Sequence, residues 1–333
     1  MGLNIADIVP RTAIAFSELK GKTIVIDAFN VIYQFLSSIR QQDGTPLMDS
    51  RKRVTSHLSG LFYRNINLIQ EGLKIVYVFD GKPPELKDRT HEIRKEAKDS
   101  AREKYEQAKA EEDVEAMGKY AKSLTKLDNE MIEESKELLR ALGICVLQAP
   151  SEGEAQASYL VRKNNLDAVG SQDYDSLLFG APRLIQNLTL ARKRKTFSGY
   201  VFISPEVIEL DKVLNSLQIN LDQLICLGIL VGTDYNPGGV KGIGQKKALE
   251  HVKKYRNPVD IFRKFPALDF DWQEIFQLFH KPDVKDFEIE FPKLDEEKVR
   301  KILLEYEFSL DRINSGLDKL KLVKEKQKQK TLF

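Results

Sequence analysis

Short, strongly apolar runs recur along the first half of the chain, and between them lie stretches whose apolar residues follow a helical spacing. The runs are rich in Val and Ile, as is typical of strands that are buried on both faces of a sheet. They predict strands over Lys22–Asp27, Lys74–Asp80, Ile144–Leu147, Ala168–Val169 and Leu184–Ile185. Helices are predicted over about 29–40 and 51–70. Strands that alternate with helices in this way predict an α/β fold with a mostly parallel sheet.

Residues 82–135 differ from this pattern, because they are dense in Lys, Arg, Glu and Asp and carry only a thin apolar stripe. The stripe has helical spacing but is too narrow to bury against a large core. It indicates either a solvated helical hairpin or partly disordered insertion, or a mobile arch that becomes ordered around a charged partner. After Leu221 the patterning is helical, and the chain ends in KLKLVKEKQKQKTLF, which we expect to stay disordered until bound.

Composition and charge narrow the class of protein. The chain has 333 residues, 42% of them hydrophobic and 31% charged, as expected for a globular protein of roughly two domains. Its formal charge is 52 − 50 = +2, so any nucleic-acid surface must be local. No apolar stretch is long enough to predict a membrane span. Cys145 and Cys226 lie in apolar runs, which predicts buried, reduced thiols and an intracellular protein.

Acidic residues follow the first four predicted strands. Asp27 and Asp80 close the first two, Glu152 and Glu154 follow the third, and Asp173 and Asp175 follow the fourth. The carboxyl ends of parallel strands meet at one edge of a sheet, so we expect these side chains to lie together. Each also has an ordinary explanation. An Asp after a strand is commonly a turn or helix cap, and Ser151 with Glu154 has the spacing of a capping box.

Asp234, in LVGTDYNPGG, is a seventh candidate, although it could simply cap a helix end or turn. Clustered carboxylates repel one another and take up protons unless cations neutralise them. Oxygen ligands without His or Cys favour Mg²⁺ or Mn²⁺ over Zn²⁺. A calcium loop beginning at Asp173 is excluded, because Leu178 stands where that loop requires Gly. The set therefore predicts a two-metal site for phosphodiester hydrolysis.

Two basic segments are candidates for contact with phosphate. The first contains Gly242, Gly244, Lys246 and Lys247 and lies between two helical stretches, where exposed backbone N–H groups at a helix start can bind anions. The second is Arg192–Lys195, for which a solvated loop is the competing interpretation. Together they predict contact with a nucleic-acid backbone rather than with bases.

Several of these segments also carry a resemblance to a known family. In chain order they are MGLNIADIVP, IDAFNVIYQFL, SHLSGLFYR, YVFDGKPPELK, APSEGEAQA, SQDYDSLLFG, VGTDY and KGIGQKKA. The sequence resembles the flap endonucleases of archaea and eukaryotes, which are structure-specific 5′ nucleases, over nearly its whole length. The resemblance implies a PIN-like, mostly parallel sheet flanked by helices, a helical arch and a helix–two-turn–helix DNA-binding module.

The resemblance also implies how the chain is divided into domains. Residues 1–98 form the N-terminal half of the nuclease domain, 99–115 the helical arch or linker, and 116–255 the internal half with the helix–two-turn–helix module. A C-terminal helical region covers 256–325, and a disordered tail with a partial clamp-binding motif covers 326–333.

Carried over position by position, the resemblance implies two Mg²⁺ ions, for which Mn²⁺ can substitute. Asp27, Asp80, Glu152 and Glu154 would ligate one ion, and Asp173, Asp175 and Asp234 would serve the second, some through water. Lys87 and Arg94 would face the scissile phosphate and neutralise transition-state charge, a role that positioned cations perform in other enzymes.

The resemblance also implies contacts with DNA. Tyr33 would stack on the base beside the scissile bond, with ordinary packing against Phe29 as the alternative. Arg40, Arg64, Glu152, Gly232 and Asp234 match family contacts. The turn with Gly242, Gly244, Lys246 and Lys247 matches the grip on duplex phosphates, where carbonyls near Gly239 to Ile243 would hold a monovalent cation.

A sliding-clamp motif is only partly present. The tail contains Gln329, Leu332 and Phe333, but the motif's pair of aromatic residues would come just beyond Phe333 and is missing. We therefore expect a shortened chain or a naturally weak clamp binder.

The resemblance implies a monomeric, Mg²⁺-dependent endonuclease that cuts 5′ DNA flaps, with some 5′-exonuclease activity. It would act with the chromosome inside the cell, in lagging-strand maturation and repair. The alternatives are a relative that resects 5′ ends or cuts bubbles, a PIN-type ribonuclease, and a non-catalytic binder of DNA junctions.

Overall fold

A twisted sheet organises the part of the chain that the computed structural model describes, residues 3–41, 43–111, 113–188, 193–196 and 199–330. Its strands, named in chain order, are β1 Thr12–Ala13, β2 Thr23–Asp27, β3 Lys74–Phe79, β4 Cys145–Gln148, β5 Ala168–Gly170, β6 Arg183–Gln186 and β9 Glu206–Glu209. A separate antiparallel hairpin is formed by β7 Lys193–Thr196 and β8 Gly199–Phe202.

The strand order in the sheet is β1-β9-β6-β5-β2-β3-β4. The five predicted strands are confirmed and form the parallel block from β6 to β4. The sequence interpretation missed β1 and β9. Strand β9 runs antiparallel to β6, and β1 pairs antiparallel with β9 at the edge of the sheet. The fold class, a mostly parallel α/β sheet, is confirmed.

Helices cover both faces of this sheet. They are α1 Ala28–Ser38, α2 Ser56–Gln70, α3 Asp88–Ala110, α4 Val114–Ser123, α5 Asn129–Ala141, α6 Gly153–Lys163, α7 Asp175–Leu178, α8 Leu210–Leu217, α9 Leu221–Val231, α10 Gln245–Tyr255, α11 Pro258–Phe262, α12 Trp272–His280, α13 Glu296–Glu305 and α14 Leu310–Lys330. Because side chains alternate along a strand, Ile75 and Tyr77 face α1, α2, α5, α13 and α14, whereas Val76 and Val78 face the layer of α6 to α12.

The charged segment is a helical hairpin made of α3 and α4, which pack against each other. Helix α3 begins at Asp88, so it runs across the boundary predicted at residue 98. The sheet likewise combines strands from 1–98 with strands from 116–255. These two segments therefore build one core between them.

Two charged segments form regular secondary structure. Lys193–Thr196 is a strand of the small hairpin rather than a loop, since β8 supplies its hydrogen-bond partners; Arg192 lies outside the described residues. Helix α14 continues to Lys330, and residues 326–330 are Lys and Gln, which favour helix; that the tail 326–333 becomes ordered only when bound stays a prediction.

Both cysteines are buried free thiols, as expected. Within the described residues, no single helix has the length and apolarity to cross a membrane. Helices α8 and α9 are long and apolar enough only when they are taken together, and the chain bends by 82° between them.

The strand order places a topological switch beside β2. From β2 the chain moves outward to β3 and β4, and it then returns to β5 on the other side of β2. In open α/β sheets such a switch leaves a crevice at the carboxyl ends of the two strands, and ligands bind there. The crevice here lies between the ends of β2 and β5.

Candidate active site

Asp27 and Asp80 lie at the carboxyl ends of β2 and β3. Asp27 Oδ1 accepts hydrogen bonds from the backbone N–H groups of Phe29 (2.9 Å) and Asn30 (3.3 Å), so the carboxylate does cap α1. It is nonetheless buried, with 7% of the residue exposed. Asp80 Oδ1 accepts from the N–H of Gly153 at 2.7 Å. Capping of α1 therefore accounts for one oxygen of the Asp27 carboxylate, but it does not explain why this carboxylate is buried.

Glu152 and Glu154 enter the crevice from the start of α6. The helix begins at Gly153 with Glu152 at its N-cap, so the capping-box interpretation of Ser151 and Glu154 is wrong. Glu154 Oε1 instead accepts from Ser171 Oγ at 2.9 Å. A Cβ at Gly153 would lie 2.5 Å from Asp80 Oδ1 and 3.6 Å from Asp27 Oδ1, which shows how closely these carboxylates approach.

Asp173 and Asp175 follow β5, on the opposite side of the switch. Asp173 Oδ2 accepts from Asn30 Nδ2 at 2.7 Å. Asp175 is the first residue of α7 and is 7% exposed. Within the described residues, its Oδ1 atom is buried and has no hydrogen-bond partner. Asp234 follows α9, and its backbone carbonyl accepts from Thr90 Oγ1.

Crowding of these carboxylates changes their acidity. Burial raises the pKa of Asp80 to about 6, with a further contribution from Glu152. Burial, Asp234 and Asp173 raise the pKa of Asp175 to about 8. The pKa values of Asp27 and Glu154 are also well above their ordinary values, chiefly because of burial and then because of neighbouring acids. The crevice is therefore strongly negative when its acids are ionised.

The donor set fits hard divalent cations. All candidate ligand atoms are carboxylate oxygens, the chemistry that Mg²⁺ and Mn²⁺ prefer, and the unpartnered Asp175 Oδ1 offers a buried ligand position. Among the described residues, no group of three or more Asp, Glu, His or Cys side chains is arranged closely enough to coordinate a metal ion without some rearrangement. The acids thus line a site in which bound cations would relieve mutual repulsion.

Lys87 brings a positive charge to this crevice from the base of α3. Its Nζ atom lies 2.6 Å from Glu152 Oε2 and 5.7 Å from the ring centroid of Tyr235. Burial alone would lower the pKa of Lys87, but Glu152 and the acids beside it raise that pKa above its ordinary value. Lys87 is therefore charged. Arg94 lies in α3 as well, and its side chain is outside what the structure describes.

The predicted DNA contacts lie on several elements around the crevice. Tyr33, on α1, is 42% exposed, so a ligand can reach much of its ring. Arg64 is half-buried on α2. Arg40 donates to the carbonyls of Leu36 (2.8 Å) and Gly44 (2.7 Å) and to Thr125 Oγ1 (2.7 Å). The Arg40 guanidinium therefore joins α1 to the turn after it and to the linker after α4.

Glycines with positive φ shape the turn between α9 and α10. Gly232 has a φ of +112°, and a Cβ there would lie 2.7 Å from the backbone nitrogen of Gly239. Gly242 has a φ of +81°, and Gly244 is the N-cap of α10. Lys246 and Lys247 are exposed on the first turn of that helix. The helix start is thus open to an anion.

The clamp motif can be located only in part. Gln329 lies in α14, its side chain is not described, and Leu332 and Phe333 lie outside the described residues.

Three residues that hold the acids in place were missed by the sequence analysis. Asn30 contacts Asp173, Ser171 contacts Glu154, and Thr90 contacts the backbone of Asp234. Asn, Ser and Thr are common at strand and helix ends. In the sequence, Asn30 lies near Asp27 and Ser171 lies near Asp173, and this proximity could have indicated both residues. Thr90 is far from Asp234 in the sequence and carries no such indication.

Two family models match the chain, the XPG N-terminal domain over residues 5–101 and the XPG I-region over residues 143–234. Flap endonuclease 1 of Pyrococcus horikoshii is 52% identical over 336 residues, which cover 100% of this chain and 97% of the relative. Flap endonuclease 1 of Hyperthermus butylicus is 51% identical over 330 residues, which cover 96% and 94%.

Two solved structures superpose on nearly the whole of this chain. Flap endonuclease-1 from Methanococcus jannaschii superposes with a TM-score of 0.77 at 42% identity and covers 98% of this chain and 100% of that one. The catalytic core of Rad2 in complex with DNA substrate superposes with a TM-score of 0.70 at 23% identity, with coverage of 96% and 100%, and shows a shared fold. By sequence identity over its full length, the chain belongs to the flap endonuclease family.

Proposed function

We propose that this chain is a structure-specific endonuclease that cuts 5′ DNA flaps at the junction of double and single strands. Some 5′-exonuclease activity, Mg²⁺ as the metal with Mn²⁺ as a substitute, and action as a monomer belong to the same proposal. The observation that carries it is the crevice at the switch between β2 and β5, where two buried acids, Asp27 and Asp175, and two partly buried ones, Asp80 and Glu154, lie together. Burial and mutual repulsion raise the pKa values of all four. The similar proteins from Hyperthermus butylicus and Pyrococcus horikoshii, both named flap endonuclease 1, support the same proposal.

The acidic crevice and Lys87 divide the work of hydrolysis. Two Mg²⁺ ions held by these acids would supply the charge that activates an attacking water and stabilises the leaving oxygen. The acids at the ends of β2 and β3 and at the start of α6 would hold one ion, and those that follow β5 and α9 would serve the other. Lys87 Nζ, which lies 2.6 Å from Glu152 Oε2, would place a positive charge where the phosphate gains negative charge in the transition state. Arg94 has the same proposed role.

The substrate would be held by its backbone at some distance from the crevice. The N–H groups at the start of α10, with Lys246 and Lys247, would contact duplex phosphates, and carbonyls near Gly239 to Ile243 would bind a monovalent cation. Tyr33, exposed on α1, would stack on a base at the junction. Arg40, Arg64, Glu152, Gly232 and Asp234 are the other proposed DNA contacts.

The setting of this activity is replication and repair of the chromosome inside the cell. A sliding clamp is the proposed partner of Gln329, Leu332 and Phe333, with the motif incomplete.

One set of substrates tests the proposal against its alternatives. The protein is incubated with end-labelled 5′-flap, nicked, bubble and single-stranded RNA substrates, each with Mg²⁺ or with EDTA. We expect cleavage of the flap at its base with Mg²⁺ and none with EDTA. Binding without cleavage would indicate a junction-binding protein, preferred bubble cutting or 5′ resection would indicate another branch of the family, and RNA cleavage would indicate a ribonuclease.

A further inference from the structure

Asn30 connects the two sides of the acidic crevice. It lies in the first turn of α1, three residues after Asp27, and its backbone N–H donates to Asp27 Oδ1 at 3.3 Å. Its side-chain Nδ2 atom donates to Asp173 Oδ2 at 2.7 Å, across 143 residues of sequence. Its Oδ1 atom accepts from the N–H of Gln172 at 3.4 Å. One residue therefore touches an acid that ends β2 and an acid that follows β5.

The conformation of Asn30 is not explained by the helix that contains it. Asn is a poor residue inside a helix, because its side chain competes for nearby backbone groups. At the third helical position a side chain commonly returns to the N-cap backbone, whereas the Asn30 amide reaches another segment. The first-turn N–H groups are capped by Asp27 instead. The amide thus acts between elements rather than within α1.

The loop after β5 is fixed on its other side by Ser171. The Ser171 hydroxyl donates to Glu154 Oε1 at 2.9 Å and accepts the N–H of Asp173 at 3.2 Å. The Asp173 backbone is therefore tied to α6, while its carboxylate is tied to α1. With Oδ2 held by the Asn30 amide, the rotation of the carboxylate about its last bond is restricted. Because the amide is neutral, it orients Asp173 without forming an ion pair.

We propose that Asn30 is a positioning residue that sets the orientation of the Asp173 carboxylate toward a divalent cation. The inference rests on the proposed function, since it concerns the metal that the crevice would bind. Groups that hydrogen-bond to metal ligands orient them, and their loss commonly weakens metal binding about 10–100-fold. Asn30 would thereby couple the geometry of one side of the crevice to the other.

The test measures Mn²⁺ binding to DNA-free protein by titration calorimetry, with no cleavage involved. Asn30→Leu keeps the size of the side chain and removes its hydrogen bonds. We expect the Kd for Mn²⁺ to rise about 10–100-fold, with thermal unfolding in EDTA little changed. Ser38→Ala, which removes a side-chain hydrogen bond to Gln34 at the other end of α1, is the matched control and should leave the Kd unchanged.

A double-mutant cycle shows whether Asn30 acts through Asp173. In an Asp173→Ala background, Asn30→Leu should have little further effect, because the carboxylate that it positions is gone. An equal loss in both backgrounds, or an unchanged Kd in Asn30→Leu, would overturn the inference. Asn30→Ala replaces Asn30→Leu if the latter does not fold. A wild-type chain that neither binds Mn²⁺ nor cuts flaps would overturn the proposed function instead.

Discussion

Asp175 shows what one residue of the crevice contributes and what it costs. Its carboxylate is buried among Asp173, Asp234 and other acids, and burial with their repulsion raises its pKa to about 8. Such a position lowers the stability of the metal-free fold when the acid ionises, since burying a charge among like charges is costly. The same position is favourable for a metal ligand. Stability and activity therefore make opposite demands on this residue.

Replacing Asp175 should separate chemistry from substrate binding. We expect Asp175→Ala to lower the single-turnover rate of flap cleavage by at least about 10²–10³, the scale for loss of one transition-state contact, because a metal ligand contributes to chemistry more than to docking. The Kd for flap DNA, measured by fluorescence anisotropy in Ca²⁺, should stay nearly constant. A variant that cuts at the wild-type rate would contradict the assignment of this site.

Lys87 and Lys246 should affect different steps. Lys87→Ala should lower the single-turnover rate roughly 10²–10³-fold, because its Nζ atom lies inside the crevice. Lys246→Ala should instead weaken flap binding and reduce the slope of log K against log salt by about one, since one phosphate contact is lost. Single-turnover kinetics at saturating enzyme distinguish the two. An unchanged rate for Lys87→Ala would remove Lys87 from the chemistry.

At the scale of elements, the parallel core could be predicted and the contacts between elements could not. The Val- and Ile-rich runs of β2 and β3 indicate their strands directly, because burial on both faces leaves an uninterrupted apolar pattern. Strand β1 has two residues, and β9 reads Glu-Val-Ile-Glu, so neither gives such a run. The ends of the predicted strands also indicate which acidic residues line the crevice. The link from Asn30 to Asp173 depends on strand order, which the sequence does not show.

One close contact holds the α3–α4 hairpin against the body of the protein. Gly44 has a φ of +82°, and a Cβ there would lie 2.5 Å from Gly118 Cα on α4. We expect Gly44→Ala to displace α4, because both backbones would have to move apart. Limited trypsin digestion should then cut the Lys- and Arg-rich hairpin several times faster than in the wild type.

The control for Gly44→Ala is Gly21→Ala. Gly21 has nearly the same φ, +80°, but no atom of the described residues lies within 4 Å of its added Cβ. Both variants carry the left-handed backbone penalty of about 1–2 kcal/mol, so only the contact with α4 differs. Equal digestion of the hairpin in the two variants would show that the Gly44–Gly118 approach does not hold α4.

At the scale of the whole molecule, the acidic crevice should make stability depend on both pH and metal. In the unfolded chain Asp and Glu titrate near pH 4, whereas in the fold the pKa is about 6 for Asp80 and about 8 for Asp175, and those of Asp27 and Glu154 are also raised. Between the two ranges the native state binds protons that the unfolded state has released. Unfolding free energy therefore falls as pH rises through this interval.

The corresponding measurement is the Tm from scanning calorimetry between pH 5 and 8, in EDTA and in Mg²⁺. In EDTA we expect the Tm to fall as pH rises, with each fully shifted acid contributing at most about 1.4 kcal/mol per pH unit. Mg²⁺ should raise the Tm most at pH 8, because ionised carboxylates bind it best. Asp175→Asn removes one of the titrating acids, so its Tm in EDTA should exceed that of the wild type at pH 8 and converge with it toward pH 5. A wild-type Tm in EDTA that rises steadily from pH 5 to pH 8 would contradict the raised pKa values, and a Tm gain from Mg²⁺ that is equal at both pH values would show that the crevice acids do not bind the ion.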